Sequence, residues 1–173
     1  YLRKFVHISI GVFIAFWPWL MSWRTIQIIS LAFIVVVFIS RQFNIFSALK
    51  SVKRTTYGDI FFALSVGVCA TITNEPVIFC IAILMMAVAD GVAALVGNKY
   101  GGAWGYKVVK QHKTLIGSMS FWLMAMFILG IGLLFLADQF TFREYAITLI
   151  FLPPILTLLE NVMPYGSDNL AIP

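Results

Sequence analysis

The chain of 173 residues is 61% hydrophobic and 11% charged, with a net charge of +5 and a mean hydropathy of +0.96. A globule of this length has too little interior to hide so much apolar surface, so the composition excludes a water-soluble domain and indicates an integral membrane protein. Cys69 and Cys80 lie in separate apolar stretches without a second pair. They are typical of buried packing thiols and indicate neither a zinc site nor a disulfide framework.

Six apolar stretches approach the length of about 20 residues that a membrane-spanning helix needs. They cover residues 5–22, 25–40, 57–73, 76–97, 114–137 and 143–160. This pattern predicts an all-α, polytopic bundle of about six transmembrane helices that forms a single domain over residues 1–173. The chain begins at Tyr1 and ends at Pro173, which leaves trimmed termini and a missing seventh helix open. Residues 44–54 mix apolar and basic side chains, and they predict a short helix on the membrane surface, with a solvated basic loop as the alternative.

Lysine and arginine are distributed unevenly if six helices alternate across the membrane. One side collects ten of the twelve basic residues, namely Arg3, Lys4, Arg41, Lys50, Lys53, Arg54, Lys99, Lys107, Lys110 and Lys113. The other side holds Arg24 and Arg143. Because basic residues concentrate in cytoplasmic loops, we expect the N-terminus and the motifs described below to face the cytoplasm.

Asp90 stands inside the fourth apolar stretch, where an ionisable side chain costs a few kcal/mol or more. Positions three or four apart share a helix face, so Asp90 lies on a stripe of small or polar residues that comprises Ala87, Gly91, Ala94, Gly97 and Asn98. Such a stripe allows close approach of a ligand or of another helix. A functional carboxylate is favoured, and a small-residue packing seam with one buried aspartate is the alternative.

Lys113 and Thr114 follow a basic, aromatic loop and precede the fifth apolar stretch, with Gly117 and Ser118 in its first turns. Free backbone amides, the helix dipole and a lysine together favour an anion, so this segment is a candidate phosphate site. It lacks the glycine-rich run of a P-loop. Taken alone, a basic loop beside a membrane is more often an orientation signal.

The two ends of the chain carry further polar groups. Arg3 and Lys4 precede His7 by about one helical turn, a pattern that topology charges and an interfacial histidine also explain. Glu160 ends the sixth stretch, and a turn with Pro164 and Gly166 leads to Asp168 and Asn169. Aspartate and asparagine at such positions commonly serve turns or helix caps.

These four elements, in this order, resemble a known family. They are Arg3-Lys4-x-x-His7, Ala89-Asp90-Gly91 with Gly97-x-x-x-Gly101, Lys113-Thr114-x-x-Gly117-Ser118, and Glu160 followed by Pro164, Asp168-Asn169 and Pro173. The ordered set, rather than any single motif, resembles the phytol kinase and dolichol kinase family, to which CTP-dependent diacylglycerol kinases also belong. The resemblance covers nearly the whole chain. It implies a multi-pass membrane enzyme that moves the γ-phosphoryl group of CTP, or of another nucleotide, to a lipid alcohol.

The resemblance also implies roles for individual residues. Asp90, Lys4 and Glu160 are the expected catalytic residues, and Asp90 and Asp168 are the expected ligands of Mg²⁺, with Glu160 as the alternative second carboxylate. The expected nucleotide-binding residues are Arg3, Lys4, Gly97, Asn98, Lys99, Lys113, Thr114, Gly117, Ser118 and Asn169. Asn98 stands where the family often has arginine, and Thr114 replaces a common serine, which leaves the nucleotide preference open. The expected partners are CTP, a lipid alcohol and membrane lipids, with no nucleic acid; the sequence leaves the oligomeric state undetermined.

Two alternatives stay open. The related phosphatidate cytidylyltransferases share a mid-chain aspartate and a Lys-Thr step, but they usually have glutamate where this chain has Ile116 and end in a longer acidic signature, so the kinase is favoured over an enzyme that forms CDP-lipids. A transporter or non-catalytic scaffold could also bury an aspartate near small residues. A transporter often shows inverted repeats and polar groups open to both sides, and neither is evident in this sequence.

Overall fold

The protein is almost entirely helical, with one small β-hairpin. The computed structural model describes residues 2–43, 58–109, 111–164 and 166–173, without the side chains of Arg3 and Arg41. Its elements are α1 (Leu2–Ala15), α2 (Trp23–Phe43), α3 (Gly58–Ile72), α4 (Pro76–Leu84), α5 (Asp90–Tyr100), β1 (Gly105–Val108), β2 (Gln111–Thr114), α6 (Leu115–Leu134), α7 (Phe142–Val162) and α8 (Asp168–Ala171), with a short 3₁₀ turn at Trp17–Trp19. The surface helix predicted for residues 44–54 lies outside the described residues.

Each of the six apolar stretches forms a helix, which confirms the predicted all-α membrane bundle. Four helical segments are long and apolar enough to cross a bilayer: Trp23–Ser40, Pro76–Tyr100, Leu115–Leu134 and Phe142–Val162. The apolar helices Lys4–Trp19 and Gly58–Ile72 are shorter than 18 residues. By length and composition, the described residues therefore support four spans, and the predicted number of six stays a prediction.

The central helix is the continuous segment formed by α4, a π-helical turn at Met85–Ala89, and α5. It begins with Pro76 in its first turn, where the missing N–H of proline is tolerated. Within this span 56% of the residues are buried, against 11% within the span of α2. The chain therefore buries Asp90, the first residue after the π turn, between the helices rather than on the lipid-facing surface of the bundle.

Two apolar clusters hold the helices around that central segment. One joins α5, α6 and α7 through side chains that include Ala93, Phe121, Leu129 and Leu156. The other joins α1, α2, α3 and α4 through Ile14, Ile26, Phe62 and Phe79, among others. Burying a large side chain of this kind stabilises a water-soluble core by about 2 kcal/mol, whereas within lipid close van der Waals packing supplies most of the gain.

Helices α6 and α7 run antiparallel. Tyr145, in the first turn of α7, donates a hydrogen bond of 3.1 Å to the carbonyl of Gly130 near the end of α6. At the other end, the Ser118 hydroxyl in the first turns of α6 donates to Asn161 in the last turn of α7, at 2.9 Å. The N-terminus of α6 therefore lies beside the C-terminus of α7, which brings two separate sequence motifs to one end of the bundle.

The basic loop that follows α5 is in part an antiparallel hairpin. Strands β1 and β2 pair Gly105 with Thr114 and Tyr106 with Lys113. The sequence analysis treated this segment as a loop because the strands have four residues each and offer little periodicity. The turn carries Val109 at φ 41°, a left-handed conformation that β-branched residues rarely adopt. The hairpin fixes Lys113 next to the start of α6.

A candidate phosphotransfer site at one end of the bundle

Three carboxylates from distant parts of the chain meet at one end of the bundle. Asp90 comes from the start of α5, Glu160 from the last turn of α7, and Asp168 from the start of α8. One oxygen of each lies within 4.8 Å of those of the other two. Asp90 and Glu160 are 5% and 4% exposed. The structure thus brings together the predicted ligands Asp90 and Asp168 and the alternative ligand Glu160.

Two lysines bind this acidic cluster. The Lys4 ammonium lies 2.6 Å from Oδ2 of Asp90. The Lys113 ammonium donates to the carboxylate of Glu160 and also, at 3.0 Å, to the Glu160 backbone carbonyl. The Lys113 side chain is largely buried, whereas that of Lys4 is 36% exposed. The sequence pointed to all four residues, but it did not predict that each lysine pairs with a particular carboxylate.

The arrangement fits a divalent metal ion. Three carboxylates against two ammonium groups leave an excess negative charge when all five groups are ionised. Each of the three carboxylates can offer one oxygen, and these oxygens lie close enough together to face a single ion. Asp90, Glu160 and Asp168 offer the hard oxygen ligands that such an ion prefers.

The pKa of Asp168 is raised from 3.8 to about 6, first because the carboxyl is buried and second because the negative charge of Asp90 is close. The two lysines lower it only in part. Burial is the larger cause of this raised pKa, and the part that comes from Asp90 reflects the excess negative charge in the cluster. A bound cation would relieve that excess.

A tight turn and a tether place α8 in the site. Gly166 adopts φ 88°, a conformation open to glycine, and the Ser167 amide donates to the Pro164 carbonyl at 3.1 Å. The Asn169 side chain is buried and donates to the carbonyl of Gly58 at 2.8 Å, which ties α8 to the start of α3. This tether accounts for Asn169 as a structural residue, and its predicted contact with a nucleotide stays a prediction.

Gly97 and Gly117 form the contact between α5 and α6. A Cβ atom on Gly97 would lie 2.7 Å from Oγ1 of Thr114, and one on Gly117 would lie 3.1 Å from the Ala93 carbonyl. Oγ1 of Thr114 in turn accepts the Gly117 amide at 3.1 Å and caps α6. The packing-seam alternative thus explains why these glycines are small. Their predicted role in nucleotide binding stays a prediction.

The Ser118 hydroxyl belongs to a polar network that the sequence analysis missed. The Tyr106 hydroxyl lies 2.6 Å from Oγ of Ser118 and donates to Oδ1 of Asn161 at 2.7 Å. Recognition of the hairpin could have revealed Tyr106, because cross-strand pairing sets it beside Lys113. Asn161 offered a weaker signal as a polar residue next to Glu160 at the end of an apolar helix.

Three predicted nucleotide-binding residues stand apart from the contacts described so far. Asn98 and Lys99 are exposed at the end of α5, and the Lys99 ammonium lies 5.0 Å from the centre of the Tyr100 ring. The predicted role of the Arg3 side chain lies outside the described part of the chain. His7, at the same end of α1, packs edge-on against Phe62 with ring centres 5.0 Å apart.

A comparison with curated proteins finds a relative along nearly the whole chain. It is the phytol kinase of Synechocystis sp., which is 34% identical over 178 aligned residues that cover 99% of this chain and 74% of the relative. No family model matches the chain, and no solved structure matches it. The apolar helices and this relative establish a membrane protein. Both the extent of the match and the ordered motifs assign the chain to the phytol kinase and dolichol kinase family.

Proposed function

We propose that this chain is a membrane kinase that transfers the γ-phosphoryl group of CTP, or of another nucleoside triphosphate, to the hydroxyl of a lipid alcohol. The observation that carries the proposal is the convergence of Lys4, Asp90, Lys113, Glu160 and Asp168 on one site. The relative named phytol kinase supports a lipid alcohol as the acceptor. Phytol, a polyprenol such as dolichol, and diacylglycerol are the acceptor classes to test.

In the proposed reaction the hydroxyl oxygen of the lipid forms a bond to the γ-phosphorus, and the bond from that phosphorus to the β-phosphate oxygen breaks. The nucleoside diphosphate leaves with that oxygen. The hydroxyl proton passes to one of the three clustered carboxylates. Asp90 and Glu160 are the candidates that are most deeply buried, and the choice between them is left open.

Asp90 and Asp168, with Glu160 beside them, would hold Mg²⁺, which would neutralise phosphate charge when bound. Lys4 and Lys113 would then contact phosphate oxygens as well as the carboxylates. Arg3 and Lys99 are proposed to extend the positive surface, Asn98 to add an amide to it, and Thr114, Gly117 and Ser118 to present the N-terminus of α6. Asn169 completes the proposed set at the start of α8.

The proposed domain is one integral-membrane catalytic unit over residues 1–173 that crosses the bilayer about six times. The uneven distribution of basic residues supports a cytoplasmic N-terminus and a site that opens to the cytoplasm. The apolar tail of the acceptor would lie among the helices, with its hydroxyl at the interface. An epitope tag before Leu2 should be accessible to antibody in vesicles that expose the cytoplasmic face, and protection of that tag would reverse the proposed orientation.

The central experiment is a label-transfer assay with the purified protein, Mg²⁺ and each lipid alcohol. CTP labelled at the γ-phosphate should yield a labelled lipid phosphate, and a panel of other nucleoside triphosphates should rank the donors. Label from the α-phosphate that appears in the lipid would instead identify a cytidylyltransferase. Loss of transfer with every donor and acceptor, together with no nucleotide-induced thermal stabilisation, would favour a non-catalytic membrane transporter or scaffold.

A further inference from the structure

The Tyr106 hydroxyl joins three elements at the edge of the candidate site. It donates to Oδ1 of Asn161 in α7 at 2.7 Å and lies 2.6 Å from Oγ of Ser118 in α6. The Ser118 hydroxyl also donates to Oδ1 of Asn161, at 2.9 Å. The Asn161 amide nitrogen donates to the Thr157 carbonyl at 2.8 Å. That last bond leaves Oδ1 of the Asn161 amide facing the two hydroxyls, which share their two protons among the three contacts.

The network lies beside an ion pair of the site, that of Lys113 with Glu160. Tyr106 pairs across the hairpin with Lys113, and Asn161 follows Glu160 in the last turn of α7. A hydrogen bond from Tyr106 to Asn161 therefore sets the distance between the strand that carries Lys113 and the helix that carries Glu160. The hairpin is also tied to this helix end by Lys113 itself and by the Gln111 amide, which donates to the Met163 carbonyl at 2.9 Å.

Accurate placement matters more for Lys113 than for an ordinary surface lysine. A lysine side chain is long and loses up to about 2 kcal/mol of rotamer entropy when one geometry is imposed on it. Its ammonium is a point charge without the fixed fork of arginine, so the backbone must supply the accuracy. A two-stranded hairpin alone is only marginally stable, so contacts with α7 are needed to hold it, and the Tyr106 hydroxyl supplies one of them from β1.

We propose that Tyr106 is a positioning residue, whose hydroxyl holds the hairpin against α7 so that the Lys113 ammonium meets both Glu160 and the phosphates of the bound nucleotide. This inference rests on the proposed function. It also gives Ser118 a different task from direct phosphate contact, because its hydroxyl is engaged with Tyr106 and Asn161. The network acts through Lys113 and has no contact with the reacting atoms.

The chain offers a matched control for the test. Tyr145 also uses its hydroxyl to join α7 to α6, through the Gly130 carbonyl at the opposite end of the bundle. Tyr106→Phe and Tyr145→Phe each remove one such hydroxyl and keep the ring. We expect Tyr106→Phe to lower kcat/KM for the nucleotide by about tenfold, the scale typical of residues that orient a directly acting group. Tyr145→Phe should leave kcat/KM within about twofold of the wild type. Its change in Tm should be similar to that of Tyr106→Phe.

A second pair separates positioning from general loosening of the fold. Ser118→Ala removes a member of the network, whereas Ser118→Thr keeps the hydroxyl. Ser118→Ala should reproduce the loss in kcat/KM, and Ser118→Thr should recover most of it. Equal kcat/KM values for Tyr106→Phe and Tyr145→Phe would overturn the inference, as would a Ser118→Ala enzyme that matches the wild type.

Nucleotide-induced thermal stabilisation provides a readout that does not need turnover. With saturating CTP and Mg²⁺, the rise in Tm should be smaller in Tyr106→Phe than in Tyr145→Phe. A wild-type protein that binds CTP but transfers no phosphoryl group would contradict the proposed function and leave this comparison intact. A wild-type kinase in which both phenylalanine variants show the same rise in Tm would contradict only the role of Tyr106.

Discussion

Helices α6 and α7 begin with the same local device at opposite ends of the bundle, and they complete it differently. Thr141 caps α7, and Glu144 is the third residue of that helix. The Glu144 carboxylate accepts hydrogen bonds from the Thr141 amide at 2.8 Å and from the Thr141 hydroxyl at 2.7 Å. Thr114 caps α6 in the same extended conformation, but the third residue there is Gly117. The N-terminus of α7 carries its own anion, and that of α6 does not.

The difference follows from what surrounds each helix start. The Glu144 carboxylate is exposed and closes a capping box, which serves stability alone. At α6 the Lys113 ammonium precedes the cap, so a positive side chain adds to the positive end of the helix dipole. An arrangement of this kind gains stability from an external anion. The start of α7 therefore has a carboxylate in its own first turn, whereas the start of α6 has none. We propose that a substrate phosphate supplies the negative charge at α6.

The largest expected effect comes from replacing a carboxylate at each end. Asp90→Asn keeps the shape of the side chain and removes its charge, so we expect kcat to fall by about a hundredfold or more, as when a group that acts directly on the transition state is lost. Glu144→Gln removes a carboxylate that serves only the capping box, and it should lower Tm slightly and leave kcat unchanged. Label transfer would measure kcat in both variants, and electron paramagnetic resonance would measure their binding of Mn²⁺.

An Asp90→Asn enzyme with an unimpaired rate and normal metal dependence would remove Asp90 from its proposed role. A Glu144→Gln enzyme with a large loss of kcat would show that the two helix starts are not functionally distinct. Far-ultraviolet circular dichroism and Tm should accompany both assays, because removal of Asp90 leaves the Lys4 ammonium without its partner of 2.6 Å.

The sequence predicted the helices and the charged site residues better than the contacts between them. Each apolar stretch forms a helix because backbone N–H and C=O groups in lipid find no water, and a helix satisfies them with its own hydrogen bonds. Asp90, Lys113, Glu160 and Asp168 stood out because charges near apolar stretches are costly. Three features depend on tertiary contacts and left little local signal: the π turn before Asp90, the hairpin, and the pairing of Lys113 with Glu160 across 47 positions.

The glycines illustrate a different limit. A stripe of small residues on a helix is equally consistent with a ligand and with a neighbouring helix, and the sequence analysis left both open for Gly97. The structure places Thr114 and Gly117 against it, a contact that no spacing within α5 alone could reveal. Likewise, Asn169 was assigned through the motif, whereas its buried hydrogen bond to Gly58 spans 111 positions.

An intermediate effect is expected from removing the two threonine caps. Thr114→Ala and Thr141→Ala should each destabilise the protein by about 1 kcal/mol, because each leaves one helix amide without its cap. Thr114→Ala should in addition raise the KM for the nucleotide by several-fold, since the phosphate is proposed to bind at that helix start. Denaturation in detergent and steady-state kinetics with varied nucleotide would measure the two effects separately.

Serine is the control substitution at both caps, because it restores the hydroxyl without the methyl group. Thr114→Ser and Thr141→Ser should both recover stability, and Thr114→Ser should also recover the KM. If Thr114→Ala and Thr141→Ala raise the KM for the nucleotide equally, the increase reflects general loosening of the bundle, and the proposed phosphate contact at α6 would be wrong.

The smallest expected effect is a pH dependence that belongs to the acidic end of the bundle. The Asp168 carboxyl has a pKa of about 6 in the folded protein, against an ordinary value of 3.8, so the metal-free folded state binds more protons between these values than the unfolded state does. The contribution of this group to stability is therefore complete below pH 4 and is lost as the pH rises through 6.

In metal-free buffer Tm should fall less steeply from pH 5 to pH 7 in Asp168→Asn than in the wild type. Mn²⁺ affinity should change in the opposite direction and increase over the same interval, since a metal ligand must be deprotonated. Identical Tm profiles for the two proteins would mean that the excess negative charge is not felt at Asp168, and the contrast between an acidic end that needs a cation and a self-contained opposite end would then rest on Asp90 and Glu160 alone.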